Sequence, residues 1–147
     1  MAFAYSVGPI KCEQVDKSYR LIEAAGYHLD LRSWRDYCAI SFARRWRALY
    51  CEEAVTAENP LGYVVGLCIM RPAHDKMYGQ VLDVPVFIVV SAADTRGASS
   101  SLLGYLTATA RNKHYGFIRL WGLEPDNWPT SPDVTRRDGR GILIPVQ

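Results

Sequence analysis

Two stretches near the start of the chain carry apolar residues at every third or fourth position, which is the spacing of amphipathic helices. The first covers Lys17 to Ala25, with Asp16 before it as a candidate N-cap and Gly26 after it as a C-terminal stop. The second begins at Asp30 and continues to about Ala43. We therefore predict two helices in this part of the chain.

After Ala43 the apolar period falls from 3.6 to two, which predicts strands. The turn-forming segment Glu58 to Gly62 separates two such stretches and so predicts an antiparallel hairpin. The polar segment Arg71 to Gly79 predicts a loop before a central strand rich in Val and Ile. The predicted strands are Phe3 to Ile10 at a sheet edge, Trp46 to Val55, Tyr63 to Met70, Val81 to Ser91 and Phe117 to Leu123.

A third helix is predicted after the small-residue turn Ala92 to Ser101, and it ends near Gly116. The proline-containing segment Glu124 to Pro132 predicts a loop. Val134 to Arg137 and Gly141 to Val146 then predict a closing hairpin. The order β-α-α-β-β-β-α-β, followed by this hairpin, predicts one α+β domain over residues 1–147, with a right-handed βαβ crossover.

Composition and charge narrow the classes of function. The chain has 147 residues, 49% of them apolar, and a formal net charge of +2. Disorder is excluded by the apolar content, and a broad basic surface for nucleic acid is excluded by the balanced charge. No apolar run approaches bilayer-spanning length and no secretory signal begins the chain, so we predict a cytoplasmic protein without membrane contact.

The four cysteines are far apart in the sequence and form no C-x-x-C pair. That spacing argues against a zinc site, and we predict no metal. Three of the cysteines lie in apolar periodic segments. We expect all four thiols to be reduced, buried and unreactive: Cys12, Cys38, Cys51 and Cys68.

The start of the third predicted helix is a candidate anion site. The first amides of a helix have no intrahelical partner, and Gly97 to Ser101 would let an anion approach them closely. Neither a P-loop nor a dinucleotide-binding glycine pattern is present. Ordinary helix capping is the alternative interpretation of the same residues.

The segment from Asp83 to Leu103, DVPVFIVVSAADTRGASSSLL, resembles the GNAT family of acyl-CoA-dependent N-acyltransferases. In that family a strand is followed by R/Q-x-x-G-x-G/A and then by a helix that begins with paired aliphatic residues. Asp94 stands at the R/Q position, and Gly97 and Ser99 stand at the two small positions. The resemblance covers about Trp46 to Leu123 well and the two N-terminal helices loosely.

The resemblance implies a mixed, mostly antiparallel sheet with helices on both faces and a splayed central strand pair. It also implies acetyl-CoA, or another acyl-CoA, as the cofactor. The implied cofactor-binding residues form the strand that pairs with the pantetheine arm and the turn that holds the pyrophosphate: Ile88, Val89, Val90, Arg96, Gly97, Ala98, Ser99, Ser100 and Ser101. Asp83 is the implied general base for the acceptor amine, and a solvated aspartate at a strand start is the alternative.

Two features depart from the family pattern. Asp94 places a negative charge beside the expected pyrophosphate, although Arg96 is close enough in sequence to offset it. The place of the family's fourth helix is taken by Glu124 to Pro129, whose prolines do not suit a helix interior.

Three functions are compatible with this pattern. The first is an acetyl-CoA-dependent N-acetyltransferase that acts on an amine of a small molecule or protein. The second is a catalytically inactive GNAT-fold protein with a structural or partner-binding role, for example in a bacteriophage virion. The third is a small anion-binding regulatory domain. A homo-oligomer or an assembly partner would use the Trp128 loop and the C-terminal hairpin.

Overall fold

A mixed sheet organises the residues that the structure describes, which are 4–44, 52–121 and 141–146 of a computed structural model. Within these ranges six strands lie side by side in chain order. All neighbours are antiparallel except β4 and β5, which are parallel because α3 connects them. The elements are β1 (Ser6–Pro9), α1 (Val15–Ala25), α2 (Leu31–Arg44), β2 (Glu53–Glu58), β3 (Val64–Asp75), β4 (Gly79–Val89), α3 (Thr95–Asn112), β5 (Phe117–Leu120) and β6 (Ile142–Pro145).

Helices cover both faces of the sheet, as the family resemblance implied. On one face α1 and α2 bury a cluster that includes Leu21, Ile22 and Trp34. On the other face α3 buries Leu102 and Leu106 against the strands. Alternate residues of β2 and β3 supply the two clusters, because successive side chains of a strand point to opposite faces.

The ends of the first two helices follow their local sequence. Gly26 ends α1 in the left-handed conformation, with φ 86°, as expected for a helix C-terminus. Asp30 caps α2, since its Oδ1 accepts the Ser33 N–H at 2.7 Å. Asp16 is not the cap of α1. A short 3-10 turn, Cys12–Gln14, precedes that helix, and Asp16 lies in its first turn.

The predicted loop Arg71 to Gly79 is wrong, because β3 continues to Asp75 and β4 already begins at Gly79. Only residues 76–78 connect the two strands. The strand tolerates Arg71 because its charge is paired with Asp83 on β4. Pro72 lies beyond the last described pair of β2 and β3, a position at which a missing N–H costs little.

The predicted edge strand, the central hairpin and the crossover helix are all present, with ends that differ from the prediction by a few residues. The predicted C-terminal strand is present as β6, which lies antiparallel to β5 and extends the sheet. Three predicted segments lie outside the described residues: the first part of the strand Trp46 to Val55, the loop Glu124 to Pro132 and the strand Val134 to Arg137. Among the described helices, none is long and apolar enough to span a bilayer.

Candidate cofactor and active site

A β-bulge in the middle of β4 is the central irregularity of the sheet. Between the pairs Ile69–Val86 and Arg71–Asp83, one residue of β3, Met70, lies opposite two residues of β4. Those two residues are Val84 and Pro85. Proline suits a bulge because it has no N–H to contribute to the ladder.

The bulge reverses which way the second half of β4 faces. Leu82 and Val84 pack on the α3 side of the sheet, whereas Val86 and Ile88 pack on the α1–α2 side. Without an extra residue all four would share one face, because side chains alternate along a strand. The backbone groups of the strand are redirected in the same way.

The bulge also lies where the described pairing of β4 and β5 ends. The parallel pairing runs from Val81–Phe117 to Val84–Leu120, and the Trp121 N–H then donates to the Val84 carbonyl at 3.2 Å. Beyond this point no described residue pairs with β4 on its β5 side. The described pairing of the two central strands therefore ends at Val84, and we call the side of β4 beyond this point, with which no described residue pairs, the open edge.

The backbone groups on this open edge belong to alternate residues of β4. The Val90 N–H donates to the Val65 carbonyl of β3 at 2.8 Å, so it faces away from the open edge. By the alternation of an antiparallel pair, Ile88 also faces β3, and the N–H and C=O groups of Phe87 and Val89 face the open edge. Of the predicted arm-binding residues Ile88, Val89 and Val90, only Val89 thus directs its peptide groups there. Phe87 was missed because the bulge that sets the alternation was not predicted.

The start of α3 lies directly after this strand. Asp94 is its N-cap, and its Oδ1 accepts the Gly97 N–H at 3.0 Å while its carbonyl accepts the Ala98 N–H at 3.1 Å. The second carboxylate oxygen, Oδ2, accepts the Tyr5 hydroxyl at 2.9 Å. Ser91 completes the turn, since its Oγ accepts the Asp94 N–H at 3.1 Å.

The structure brings the predicted pyrophosphate-binding residues, Arg96 to Ser101, together in the first two turns of α3. Because the helix begins at Thr95, amides from Ala98 onward follow the regular bonding to the carbonyl four residues earlier. The amides at the helix N-terminus, which have no carbonyl four residues earlier within the helix or its cap, are therefore those of Thr95, Arg96 and Gly97. The Arg96 side chain is exposed, whereas Ala98 is buried against the sheet; the remaining predicted residues, Ser99, Ser100 and Ser101, follow within the helix.

Asp83 lies on β4 just before the bulge and is 1% exposed. Its Oδ2 accepts the Nε–H of Arg71 at 3.0 Å, and its Oδ1 accepts the Nε–H of Arg119 at 3.0 Å. The Trp121 indole N–H also donates to Oδ1. Both carboxylate oxygens are thus occupied by donors, two of which carry positive charge.

The ion pairs continue outward from this carboxylate. Arg71 approaches Glu52 at 3.7 Å, and Arg119 approaches Asp75 at 3.3 Å. The guanidinium carbon of Arg119 also lies 5.2 Å from the centre of the Trp121 ring, within the range of a cation–π contact. We call Asp83, Arg71, Arg119, Glu52 and Asp75 the carboxylate–arginine network. The sequence did not reveal its arginines, since their partners lie on other strands.

The described cysteines differ in exposure. Cys38 and Cys68 are buried, and burial raises the pKa of each thiol to about 12. Cys12 is exposed at the 3-10 turn before α1, so the prediction that it is buried is wrong. Cys51 lies outside the described residues. The described residues contain no group of three or more His, Cys, Asp or Glu that could hold a metal ion.

Comparison by sequence finds no matching family model and no matching curated protein. Comparison by structure finds acetyltransferases. One is a ribosomal-protein-alanine N-acetyltransferase from Brucella melitensis biovar Abortus 2308, with a TM-score of 0.59 and 18% identity over 90% of this chain and 86% of that one. Another is a GNAT family acetyltransferase from Brucella melitensis in complex with acetyl-CoA, with a TM-score of 0.59 and 13% identity over 98% of this chain and 89% of that one.

A third similar structure is an aminoglycoside N-acetyltransferase in complex with CoA, with a TM-score of 0.62 and 14% identity over 92% of this chain and 82% of that one. At these identities the likeness concerns the fold. This likeness is consistent with the fold that the sequence resemblance implied, which the chain shows in its element order, its parallel β4–β5 pair and its helices on both faces. The chain therefore has a divergent form of the GNAT acetyltransferase fold.

Proposed function

We propose that this protein is an N-acyltransferase that transfers an acyl group, acetyl in the simplest case, from acyl-CoA to an amine. One observation supports this proposal most strongly. The bulge at Val84 and Pro85 lies where the described β4–β5 pairing ends, and it turns the peptide groups of Phe87 and Val89 toward the open edge, next to the start of α3. A strand edge beside a helix N-terminus suits a ligand with an amide-containing arm and an anionic end.

The residues present fit such a ligand at both ends of this arrangement. The edge of β4 offers backbone donors and acceptors that can pair with the amides of a pantetheine arm, as a neighbouring strand would. The first turn of α3 offers amides to a pyrophosphate, and Arg96 adds an exposed positive charge beside them. The proposed cofactor-binding residues are therefore Phe87 and Val89 on the strand, with Arg96 and Gly97 on the helix.

A bound acyl-CoA would supply a thioester, which is an activated acyl group. The chain would have to position the amine and accept its proton. Asp83 is the proposed proton acceptor, because it lies on β4 next to the point where the described pairing with β5 ends. Its contacts with Arg71 and Arg119 suggest a second role, in which it anchors the two guanidinium groups at the base of the open edge.

Asp83→Asn distinguishes these two roles. If Asp83 accepts the proton, we expect kcat to fall by about 10²-fold or more, with loss of the acidic limb of the pH–rate profile and little change in the Kd of acetyl-CoA. Stability falls in either case because the contacts with Arg71 and Arg119 are changed, so the pH profile decides: if Asp83 is only an anchor, the remaining activity keeps the acidic limb. Asp16→Asn is the matched control, because that aspartate pairs with Arg35 on the exposed face of α1 and α2.

The proposal as a whole is tested by calorimetric titration with acetyl-CoA, followed by transfer assays on a panel of small amines and peptide N-termini. We expect saturable binding and acetylation of at least one class of amine. Binding without transfer to any class would favour the second candidate, an inactive GNAT-fold protein with a partner-binding role. The observation that favours this candidate is the carboxylate of Asp94 at the N-terminus of α3, because it places a negative charge beside the proposed pyrophosphate site. The bacteriophage-virion form of this candidate, an oligomer or assembly contact through the Trp128 loop and the C-terminal hairpin, and the cytoplasmic location stay predictions.

A further inference from the structure

The N-terminus of α3 is capped by a carboxylate of the chain itself, that of Asp94. Asp94 Oδ1 accepts the Gly97 N–H, and Oδ2 accepts the hydroxyl of Tyr5, which lies 89 residues earlier in the sequence. A Cβ placed on Gly97 would lie 2.0 Å from Asp94 Oδ2, so the carboxylate sits directly over this glycine. One of the three amides that an incoming anion would use, that of Gly97, is therefore already bonded to a carboxylate.

The backbone around this carboxylate is fixed by further hydrogen bonds. The Asp94 N–H donates to Ser91 Oγ at 3.1 Å, and the Thr95 hydroxyl donates to the Ser91 carbonyl at 2.9 Å. A pyrophosphate at the same amides would meet the like charge of Asp94 at close range, which weakens binding. Rotation of the Asp94 side chain away from Gly97 would remove both obstacles, and the Tyr5 hydroxyl opposes that rotation.

We propose that Asp94 and Tyr5 form a latch that competes with the pyrophosphate of acyl-CoA for the first turn of α3. This inference rests on the proposed function, since it concerns the same cofactor site. The latch lowers the affinity for acyl-CoA until the Asp94 carboxylate leaves Gly97. Because Tyr5 belongs to the segment before β1, displacement of that segment would raise the affinity.

Asp94→Asn tests the latch, because asparagine caps a helix as well as aspartate does but carries no charge. We expect the Kd of acetyl-CoA, measured by calorimetric titration, to fall about tenfold. The matched control is Asp30→Asn at the cap of α2, where Oδ1 accepts the Ser33 N–H in the same way. This control should leave the Kd at the wild-type value.

Tyr5→Phe provides a second variant, which keeps the ring and removes only the hydroxyl that holds Oδ2. We expect a smaller decrease in Kd in the same direction, so this variant decides the matter if Asp94→Asn does not fold. Thermal unfolding without ligand checks that each variant is folded.

The latch is overturned if Asp94→Asn and Tyr5→Phe bind acetyl-CoA no more tightly than wild type, or if Asp30→Asn tightens binding equally. It is also overturned if wild type and Asp94→Asn both fail to bind at millimolar acetyl-CoA. Tighter binding by Asp94→Asn without acetyl transfer to any amine would support the latch and contradict the proposed enzymatic function. Binding and transfer thus separate the two proposals.

Discussion

Asp83 shows how one residue is stabilised in the interior only by its partners. A buried carboxylate loses its hydration, and here Arg71, Arg119 and the Trp121 indole replace the lost water with three donors. Removal of the carboxylate charge leaves the guanidinium groups of Arg71 and Arg119 without the anion that both of them contact. The energetic effect therefore exceeds that of an exposed ion pair.

We predict that Asp83→Asn lowers the free energy of unfolding by about 3–5 kcal/mol, since it breaks a buried pair from one side. The comparison is with Asp16→Asn, which removes a carboxylate that meets Arg35 at 2.7 Å with both side chains more than half exposed. That change should have a much smaller effect, because water screens the pair. Urea denaturation of the two variants measures the difference, and equal losses would contradict burial of the network.

The described cysteines give a second prediction at the residue scale. Burial raises the pKa of Cys38 and Cys68 to about 12, so their reactive thiolate is scarce at neutral pH. Cys12 is exposed. We expect iodoacetamide to modify Cys12 in the native protein and the other two only in denaturant. Peptide mass spectrometry before and after unfolding measures this, and equal native labelling of Cys38 would contradict the described core.

At the scale of elements, two helix ends were predictable because their signals are local, whereas the start of α1 was not, since Asp16 lies in its first turn and Gln14 is its N-cap. Gly26 ends α1 and Asp30 caps α2 within a few residues of the groups that they satisfy. The continuation of β3 to Asp75 was not predictable in the same way. Arg71 is polar in the sequence, and only its pairing with Asp83, 12 residues later, makes it suitable for a buried strand.

The contact between α3 and the sheet gives a prediction at the element scale. A Cβ on Gly66 of β3 would lie 2.7 Å from Leu102 Cδ1 and 3.2 Å from the Ala57 Cβ, whereas a Cβ on Gly104 of α3 meets nothing within 4 Å. We therefore expect Gly66→Ala to destabilise the protein by about 1–3 kcal/mol through overpacking. Gly104→Ala should stabilise it by about 0.5–1 kcal/mol, since alanine favours a helix interior.

Thermal or urea unfolding of both glycine variants provides the measurement. The pair is informative because the substitution is the same and only the surroundings differ. If Gly66→Ala were as stable as wild type, α3 would not pack on β3 at Leu102 as the structure describes.

At the scale of the whole molecule, the sequence allowed the order of elements and the family-like fold to be predicted, and the positions that it singled out lie around the end of the described β4–β5 pairing and at the start of α3. The geometry between those positions was not predictable. Predicting the bulge would require the register of β3 against β4. Predicting that the Asp94 carboxylate is held over Gly97 would require the contact with Tyr5, 89 residues earlier in the chain. A Pro85 inside a Val- and Ile-rich strand was the available signal for the bulge.

Surface carboxylates lead to a pH prediction for the whole molecule. The backbone N–H and hydroxyl of Ser33 lower the pKa of Asp30, and the hydrogen bond from Arg35 lowers the pKa of Asp16. A group whose pKa is lower in the folded state contributes stability above its unfolded pKa. That contribution is lost as the pH falls through the folded value. Stability should therefore decline below about pH 4.

Urea denaturation at a series of pH values measures this decline. We expect the double variant Asp16→Asn, Asp30→Asn to show a flatter acid limb than wild type, because its amides do not titrate. An unchanged acid limb would mean that these two contacts are not formed in solution.

The central claim is that acyl-CoA binds along the open edge of β4, and amide hydrogen exchange followed by NMR tests it most directly. On saturation with acetyl-CoA we expect slower exchange at Phe87 and Val89, whose N–H groups face that edge. Val90 should not change, because it already donates to Val65 of β3. Unchanged exchange at both Phe87 and Val89 in the presence of saturating acetyl-CoA would contradict the account.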